Sequence, residues 1–263
     1  MLLISWNING YKKDIHDWLK SFIEINNPDV IFLSETKKSV EDLQPYFSQF
    51  NNYNVIYNVH IPKKWHGVCM LIRKDHNYDQ FEVTMGIPSR SDCNDNNPTC
   101  GRLISVCIDK KFYLVGTYTP NSGRGMKYLD YRIDKWDQSF FQILNLIKQN
   151  GPTIWMGDIN VALDNIDVSS PKVMSNWAGF TPEERSSFGT FLISGEWIDI
   201  WRQQHQNVSE YSWRGNGKLP NYGLRLDNII ISKDLEKFVS NSFMMHDCKN
   251  SSDHIPVGIQ VNI

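Results

Sequence analysis

Short apolar segments alternate with amphipathic helical segments along the whole chain, without a long linker or a repeat. MLLISW, PDVIFLSET and TIWMGDIN have the length and apolar character of buried strands, whereas residues 14–27 and 127–149 carry apolar side chains at three- and four-residue steps. Further strands are predicted, some consecutive and antiparallel, at VIYNV, GVCMLIR, GRLISVCI, KFYLVGTYTP, RLDNIIIS and IPVGIQVNI. We therefore predict one α/β domain over residues 1–263, with mixed sheets and long functional loops.

Two of the predicted helices carry start signals. Asp14 stands where it could cap the first helix. In TPEERSSFGTFLI, Thr181 is the predicted N-cap, Pro182 takes the first helical position and Glu184 completes a capping box. These signals predict where the two helices begin.

Composition narrows the class of protein. A hydrophobic fraction of 41% and nine Trp are ample for a large core, and the net charge of −2 argues against a protein that coats nucleic acid non-specifically. It does not exclude a nuclease, because acidic metal ligands offset a basic rim. The odd cysteine count and the absence of CxxC argue against a zinc site and predict free thiols in a reducing compartment, at Cys69, Cys93, Cys100, Cys107 and Cys248.

The amino terminus lacks the apolar core of a signal peptide, because MLLISWN reaches a polar residue after six positions. No apolar run approaches the ~20 residues that span a membrane. The sequon at Asn250 lies beside the suspected site described below, where a glycan would obstruct it. We expect an intracellular protein that is neither secreted nor bound to membranes.

Polar side chains recur at the ends of the predicted strands. Each has an ordinary explanation as a solvated turn residue, and GDIN could be a simple Asx turn. Together, however, the oxygen donors, the phenol and the imidazole are what a divalent-metal phosphodiester site needs. They are Asn7, Glu35, Tyr118, Asn121, Asp158, Asn160, Asp227, Asp253 and His254.

The motifs SWNING, SETK, TYTPNSGRG, LDYRIDKWD, GDINVA, AGFTPEERSSF, GLRLD and SDHIP follow one another over residues 4–256. In this order they resemble the exonuclease III / apurinic-apyrimidinic endonuclease family of the endonuclease–exonuclease–phosphatase superfamily. GDIN and SDH alone would indicate only the superfamily, whereas the long TYTPNSGRG, LDYRIDKWD and TPEERSSF stretches are far more restrictive. The GLRLD lead-in is similar to the bacterial-type branch.

The resemblance implies a four-layer α/β sandwich, with two mixed sheets packed face to face and helices outside. It implies a Mg²⁺-dependent DNA repair nuclease, with Mn²⁺ as a substitute, that cleaves on the 5′ side of abasic sites. The implied partner is double-stranded DNA with abasic sites or blocked 3′ ends, and the implied state is a monomer. A general deoxyribonuclease or a lipid or inositol-phosphate phosphodiesterase of the superfamily remains the alternative.

The resemblance also implies catalytic roles. Asp158 would orient or deprotonate the attacking water, Asn160 would contact the phosphate, and Tyr118 would steady the phosphate or the leaving group. His254 would be the family histidine and Asp227 its carboxylate partner. In an extended segment Asp158 and Asn160 share a face, because they stand two residues apart.

The implied metal ligands are Glu35 and Asn7, with Asp253 near the same ion or a second site. Successive side chains of an extended segment point to opposite sides, so Asp253 is poorly placed to orient His254 and is free to face a metal.

Substrate contacts are implied for Asn121 as a phosphate-binding amide, Arg124 at a glycine-flanked loop tip, and Asn176, whose register beside Trp177 is open. Trp213 and Leu224 resemble the apolar walls of an abasic-sugar pocket, with core packing as the alternative. A basic rim that follows phosphates could include Lys37, Lys63, Lys64, Arg73, Lys127, Arg185 and Lys218, although surface lysines are usually only solvated charges.

Overall fold

The computed structural model of the chain describes residues 1–59, 65–81, 101–215, 221–248 and 251–263. Within these ranges the strands are β1 (Leu2–Asn7), β2 (Val30–Ser34), β3 (Tyr53–Asn58), β4 (Val68–Arg73), β5 (Tyr78–Gln80), β6 (Leu103–Ile108), β7 (Phe112–Tyr118), β8 (Thr153–Asp158), β9 (Trp197–Asp199), β10 (Trp213–Arg214), β11 (Gly223–Leu224), β12 (Asp227–Ser232), β13 (Val239–Met244) and β14 (Val257–Val261).

The α-helices in the same ranges are α1 (Lys13–Asn26), α2 (Val40–Phe47), α3 (Gln138–Asn150), α4 (Pro171–Met174), α5 (Pro182–Ser194) and α6 (Ile200–Gln204). A π-helical segment, Tyr131–Asp137, leads directly into α3. Short 3₁₀ segments lie at Arg124–Met126, Asn165–Asp167 and Lys233–Phe238.

The strands of the described ranges form two six-stranded mixed sheets and one short hairpin of β10 and β11. The first sheet has the order β13-β14-β1-β2-β4-β3, and the second has the order β5-β6-β7-β8-β12-β9. Each sheet contains one parallel pair at its centre, β1 with β2 and β7 with β8. The carboxyl ends of these four strands lie at the same end of the sandwich, where loops can carry a site.

The inner faces of the two sheets share one apolar core, which contains buried side chains from both. Gly116 of β7 is needed there because a Cβ atom at this position would lie 2.4 Å from the ring of Phe32 on β2. The missing side chain lets the Phe32 ring pack directly against the opposite sheet, which brings the centres of the two sheets close together.

Helices cover the outer faces. Helices α1 and α2 pack Leu19 and Leu43 into a cluster on the first sheet, and α3 and α5 pack Phe140 and Phe188 onto the second. The resulting order of layers is helix, sheet, sheet, helix, so the predicted four-layer sandwich is confirmed. None of the helices in the described ranges is long and apolar enough to cross a membrane.

Most predicted elements are present, with some corrections at their ends. The capping box of Thr181 and Glu184 is confirmed, since the Thr181 hydroxyl accepts from the Glu184 amide at 3.2 Å. The prediction for Asp14 is wrong, because α1 begins at Lys13 and Asp14 lies inside its first turn. Of the predicted free thiols, Cys69, Cys107 and Cys248 are free, and Cys93 and Cys100 lie outside the described residues.

Candidate active site

The polar strand ends meet at one end of the sandwich. Asn7 ends β1, Glu35 follows β2, and Tyr118 and Asp158 end the parallel pair β7 and β8. Strand β12 runs antiparallel to β8, so its first residue, Asp227, pairs in register with Asp158, and Tyr118 pairs with Asp158 on the other side. The second sheet therefore places three of the predicted catalytic residues side by side at the ends of neighbouring strands.

Asn7 joins the two sheets at the centre of this site. Its Nδ2 donates to Glu35 Oε1 and to Asp158 Oδ2, both at 2.8 Å. The Asn7 Oδ1 accepts from the Asn9 amide at 3.0 Å, which fixes the orientation of the side chain. An amide can bring two carboxylates together in this way because it adds no third negative charge.

His254 lies between two carboxylates of the second sheet. Its Nδ1 is 2.7 Å from Asp227 Oδ2, and its Nε2 is 4.0 Å from Asp158 Oδ2. Burial lowers the pKa of His254, but the Asp227 charge and hydrogen bond, together with Asp158, raise it overall. Burial and the Asp227 charge raise the pKa of Asp158. The three groups thus form a carboxylate–imidazolium–carboxylate row.

The same row could hold a metal ion. One ligand atom from each of Asp158, Asp227 and His254 lies within 4.8 Å of the other two. Among the described residues, the buried Asp227 Oδ1 has no hydrogen-bond partner, and such an oxygen gains from an additional cation. The two carboxylates are donors that suit Mg²⁺, whereas the His254 imidazole can act as a ligand only after losing the proton that it holds as an imidazolium. These residues therefore fit the divalent cation that the resemblance implies through their carboxylates.

Glu35 faces a second group of polar side chains. Its Oε2 lies 2.7 Å from Lys37 Nζ, which also donates to Asn9 Oδ1 at 2.5 Å, and Asn9 Nδ2 donates to Asp253 Oδ1 at 2.9 Å. Burial raises the pKa of Glu35, but Lys37 and Asn7 outweigh it and lower the pKa overall. Of the predicted metal ligands, Glu35 and Asn7 are therefore in contact, whereas Asp253 is linked to them through Lys37 and Asn9.

The backbone at this end of the sandwich is locally strained. Asn9, Glu35, Lys37 and Asn160 all have positive φ angles, between 45° and 54°. Residues other than glycine rarely adopt this conformation, and clusters of such residues are concentrated at functional sites.

Tyr118 rests on a buried arginine that the sequence reading overlooked. The Arg102 guanidinium lies 4.9 Å from the centre of the Tyr118 ring and donates to the Tyr118 carbonyl at 3.1 Å, and its Nη2 lies 2.9 Å from His66 Nε2. Burial and the Glu35 charge raise the pKa of Tyr118 well above its ordinary value, while Arg102 opposes this shift. The sequence signal for this role is the position of Arg102, a charged residue directly before the apolar strand β6.

Asn160 is held beside Asp158 by a turn. Its φ is 54°, its backbone amide donates to Asp158 Oδ1 at 3.0 Å, and its Nδ2 donates to the Thr119 carbonyl at 2.8 Å. Asn121 Nδ2 donates to Asn160 Oδ1 at 2.9 Å. The expectation of an extended segment was therefore wrong, and the Asx-type turn that was considered as the alternative brings the two side chains together.

The predicted sugar-pocket residues lie on the β10–β11 hairpin, beside the row of Asp158, His254 and Asp227. Trp213 and Leu224 are cross-strand partners in β10 and β11, and both belong to an apolar cluster with Phe180 and Leu226. Trp213 also forms a β-bridge with His254, and its Nε1 donates to Asp253 Oδ2 at 3.2 Å. This contact connects the apolar cluster to the carboxylate site.

The remaining predicted contacts lie on the surface. Arg124 and Asn176 are exposed, the former in the short 3₁₀ segment after Gly123. Arg73 bonds Asp29, which precedes β2, so it lies at the opposite end of the sandwich and its proposed place in the basic rim is wrong. Of the other six rim residues, Lys63, Lys64 and Lys218 lie outside the described residues, as does the sequon at Asn250.

Carboxylates, amides and one imidazole at a single end of a four-layer sandwich are the groups that metal-dependent hydrolysis of a phosphodiester bond requires. The sequence model of the Endonuclease/Exonuclease/phosphatase family matches residues 4–254, and the chain belongs to this family.

Named relatives agree with this assignment. An apurinic or apyrimidinic site endonuclease from Dictyostelium discoideum is 35% identical over 268 residues, which cover all of this chain and 71% of the relative. An exodeoxyribonuclease from Bacillus subtilis is 32% identical over 271 residues and the full length of both proteins. The crystal structure of an AP endonuclease from Leishmania major superposes with a TM-score of 0.83 at 27% identity, covering 100% of this chain and 87% of that one. The predicted resemblance to exonuclease III-like hydrolases is thus confirmed.

Proposed function

We propose that the chain is a Mg²⁺-dependent nuclease of base excision repair that hydrolyses the phosphodiester on the 5′ side of abasic sites. The products are a 3′-hydroxyl and a 5′-deoxyribose phosphate, and Mn²⁺ substitutes for Mg²⁺. The substrate is double-stranded DNA, and the enzyme acts as a monomer. The observation that carries the proposal is the hydrogen-bonded group of Asn7, Glu35 and Asp158 beside the His254 imidazole, in a chain 35% identical to an apurinic or apyrimidinic site endonuclease.

Asp158 is the group best suited to accept a proton from the attacking water. A carboxylate with a raised pKa is a stronger base than a solvated one. The 4.0 Å between Asp158 Oδ2 and His254 Nε2 exceeds a hydrogen bond. A water or a phosphate oxygen can therefore lie between them and contact both.

His254 and the amides stabilise the charge of the phosphate. Asp227 holds the imidazole through Nδ1, so Nε2 is the nitrogen directed toward the reacting group. Asn160 lies next to Asp158, and Asn121 lies next to Asn160. Both supply uncharged donors, which contact phosphate oxygens without the repulsion of a further carboxylate. The Tyr118 phenol keeps its proton because its pKa is raised, and it can donate to the phosphate or to the leaving O3′.

A divalent cation held at the Asp158, Asp227 and His254 row, or by Glu35 with Asn7 and Asp253, would neutralise phosphate charge and polarise the scissile bond. Glu35 is suited to cation binding because its pKa is lowered and it stays ionised. The ammonium group of Lys37 lies 2.7 Å from Glu35 Oε2, which indicates that positive charge is favourable beside this carboxylate.

Selectivity for abasic sites is attributed to the apolar cluster beside the row. Trp213 is partly exposed next to Asp253 and offers a wall for a sugar without a base, whereas the buried Leu224 packs behind it with Phe180 and Leu226. A missing base removes the stacking that otherwise opposes extrusion of the nucleotide from the duplex, so a damaged position enters such a site more easily. Arg124 and Asn176 are proposed to contact the flanking backbone.

The test is a nicking assay on a duplex with one abasic site, in Mg²⁺ and in EDTA. We expect nicking in Mg²⁺ and none in EDTA. The nick should have a 3′ end that a polymerase can extend. Asp158→Asn should lower kcat about 10²–10⁴-fold, as removal of a general base does, and Glu35→Ala should raise the Mg²⁺ requirement. Glu196→Gln is the matched surface control, since Glu196 lies in an exposed ion pair far from the site.

The substrates offered in parallel separate the alternatives. Equal rates on intact and abasic duplex would indicate a general deoxyribonuclease, and faster turnover of a soluble phosphodiester would indicate the phosphodiesterase alternative. A 3′→5′ exonuclease activity is supported by the full-length match to an exodeoxyribonuclease, and a 3′-phosphodiesterase activity is proposed beside it. Recessed and 3′-phosphate ends in the same assay measure it.

A further inference from the structure

Two of the three most restrictive motifs of the sequence contain no candidate catalytic residue. LDYRIDKWD forms the π-helical segment Tyr131–Asp137, and TPEERSSF opens helix α5. Within them Arg132, Asp137 and Glu184 are almost completely buried, at 0%, 1% and 0% exposure. Ionisable groups are rarely buried unless their hydrogen bonds are satisfied, so their partners indicate what they do.

Arg132 holds the two loops that carry the phosphate-binding amides. Its Nη1 donates to the Pro120 carbonyl at 2.9 Å and to the Asn160 carbonyl at 3.4 Å, and its Nη2 donates to the Ile159 carbonyl at 3.0 Å. Its Nε donates to Asp137 Oδ1 at 2.7 Å. One guanidinium therefore connects the end of the β7 loop to the turn after β8.

Glu184 performs the same task from helix α5. Its Oε1 accepts from the Ser122 hydroxyl, and its Oε2 accepts from the Gly179 amide at 2.8 Å and from the Thr181 amide at 3.1 Å. It therefore fixes the residue after Asn121, the segment after Asn176 and the start of its own helix together. Ser187 Oγ donates to Asp137 Oδ2 at 2.8 Å, which links this group to that of Arg132.

The loops held in this way are ones that would not keep their shape alone. Asn160 has a φ of 54°, a conformation that costs free energy outside glycine. The carbonyls of Ile159 and Asn160 point into the protein, where they need donors. Gly179, which lies beside the Asn160 carbonyl, has a φ of 88°, a conformation that glycine adopts more easily than other residues.

We propose that Arg132 is a positioning residue of the reaction, which, with Asp137 and Glu184 as its buried counterparts, holds Asn121 and Asn160 where they meet the phosphate. The assignment rests on the proposed function of these two amides. A guanidinium is required because its planar fork reaches three carbonyls and one carboxylate at once, whereas an ammonium is a single point charge. The motifs LDYRIDKWD and TPEERSSF then support the site rather than form part of its surface.

The decisive variants keep the fold and weaken the support. Arg132→Lys retains the charge but loses the fork, and Ser122→Ala removes one bond to Glu184. Misplacement of a reacting group by 1 Å can reduce the rate about 10²-fold, so we expect kcat to fall roughly 10- to 100-fold in Arg132→Lys and severalfold in Ser122→Ala. The Kd for duplex DNA, measured in EDTA, should change less than about threefold.

The matched control is Phe140→Leu, a core change in α3 that leaves every hydrogen bond of Arg132 and Glu184 in place. It is compared with Arg132→Lys at temperatures equally far below their respective Tm values. An equal loss of kcat in Phe140→Leu and in Arg132→Lys would show that Arg132 has a merely structural role and would overturn the proposal. Retention of kcat in Arg132→Lys would do the same.

A second measurement is independent of any substrate. Hydrogen exchange of the Asn160, Gly123 and Gly179 amides should accelerate in Arg132→Lys and Ser122→Ala, while the amides of β8 stay protected as in Phe140→Leu. Unchanged exchange at all three positions would overturn the proposal even if kcat fell. The wild-type protein could instead fail to cut abasic duplex while these amides still exchange faster in the variants. In that case the proposed function fails, and the conclusion that Arg132 and Glu184 support the two loops stands.

Discussion

The imidazole of His254 is held by Asp227, 27 residues earlier, with Nδ1 and Oδ2 2.7 Å apart. The adjacent Asp253 is directed elsewhere, since its two oxygens accept from Asn9 Nδ2 and Trp213 Nε1 at 2.9 Å and 3.2 Å. Neighbours in an extended segment point to opposite sides. The SDH motif therefore delivers two separate groups to the site, one for the His254 row and one for the side of Glu35.

The first prediction concerns the pKa of His254. Burial lowers this pKa and the Asp227 carboxylate raises it more strongly, so Asp227→Asn should lower it and His254 should lose its proton at lower pH. NMR titration of the imidazole in EDTA measures the shift directly. The alkaline limb of the kcat/KM profile should move to lower pH in the same variant. An unchanged imidazole titration would contradict the pairing.

The second prediction concerns metal dependence. Asp253 connects to Glu35 through Asn9 and Lys37, so Asp253→Asn should weaken cation binding on that side. Loss of a residue that supports metal ligands commonly lowers metal affinity about 10- to 100-fold, and the Mg²⁺ concentration for half-maximal activity should rise accordingly. The His254 titration should move less than in Asp227→Asn, because Asp253 contributes least to the raised pKa. Indistinguishable behaviour of the two variants would argue against separate roles.

Part of this fold could be predicted from short stretches of the sequence. The apolar runs are strands because their side chains fill a core between two sheets, and the α5 capping box depends only on Thr181 and Glu184. The error at Asp14 has a local cause, since an acidic residue is also favourable inside the first turn of a helix. Strand β13 was not predicted because its sequence does not alternate: Ser240 and Asn241 are both exposed at a register shift, and the next buried residue is the polar Ser242.

The site was predictable in its residue types but not in its contacts. Asn7, Glu35, Asp158 and His254 were identified from strand ends and motifs, yet the bond from Asn7 to Asp158 spans 151 positions and depends on how the sheets pack. Arg102 was missed because its role depends on the Tyr118 ring beneath it. Contacts between distant segments leave no spacing in the sequence that could reveal them.

The third prediction concerns stability. Arg225 is buried and donates to Asp167 Oδ1 at 2.7 Å and to Asp199 Oδ2 at 2.6 Å. Arg225→Met leaves two buried carboxylates without this cation, and removing one partner of a buried ion pair costs about 3–5 kcal/mol. Because Arg202 also contacts Asp167, we expect the lower end of that range. Urea unfolding at pH 7 measures the free energy.

The control for Arg225 is an ion pair in solvent. Lys233 lies 3.3 Å from Glu196, and both side chains are about two-thirds exposed, at 64% and 65%. Lys233→Met should change the free energy of unfolding by about 0–1 kcal/mol, as expected of a surface pair. Equal losses in the two variants would show that burial of Arg225 adds nothing to its contribution.

The last prediction is a pH dependence of stability at the opposite end of the sandwich. His76 Nε2 lies 2.6 Å from Asp29 Oδ1, before β2, and His76 Nδ1 lies 2.8 Å from Asp109 Oδ2, after β6. The ring therefore ties the two sheets together as an imidazolium. Burial lowers the pKa of His76, but Asp109 and Asp29 raise it overall, so the folded state holds this proton more tightly than the unfolded state.

The stabilisation from His76 is thus fully present below the ordinary histidine pKa of about 6.5 and is lost as the pH rises through the raised value. Below this range Asp109, whose pKa is lowered by His76 despite burial, begins to lose its own contribution as it becomes protonated. The free energy of unfolding of wild type minus that of His76→Gln should therefore be largest at mildly acidic pH and shrink in alkaline solution. Asp109→Asn keeps one carboxylate and raises the folded-state pKa less, so the contribution of His76 should be smaller and its decline should end at lower pH. A difference that stays constant from pH 5 to 9 would show that His76 stabilises the fold through packing alone.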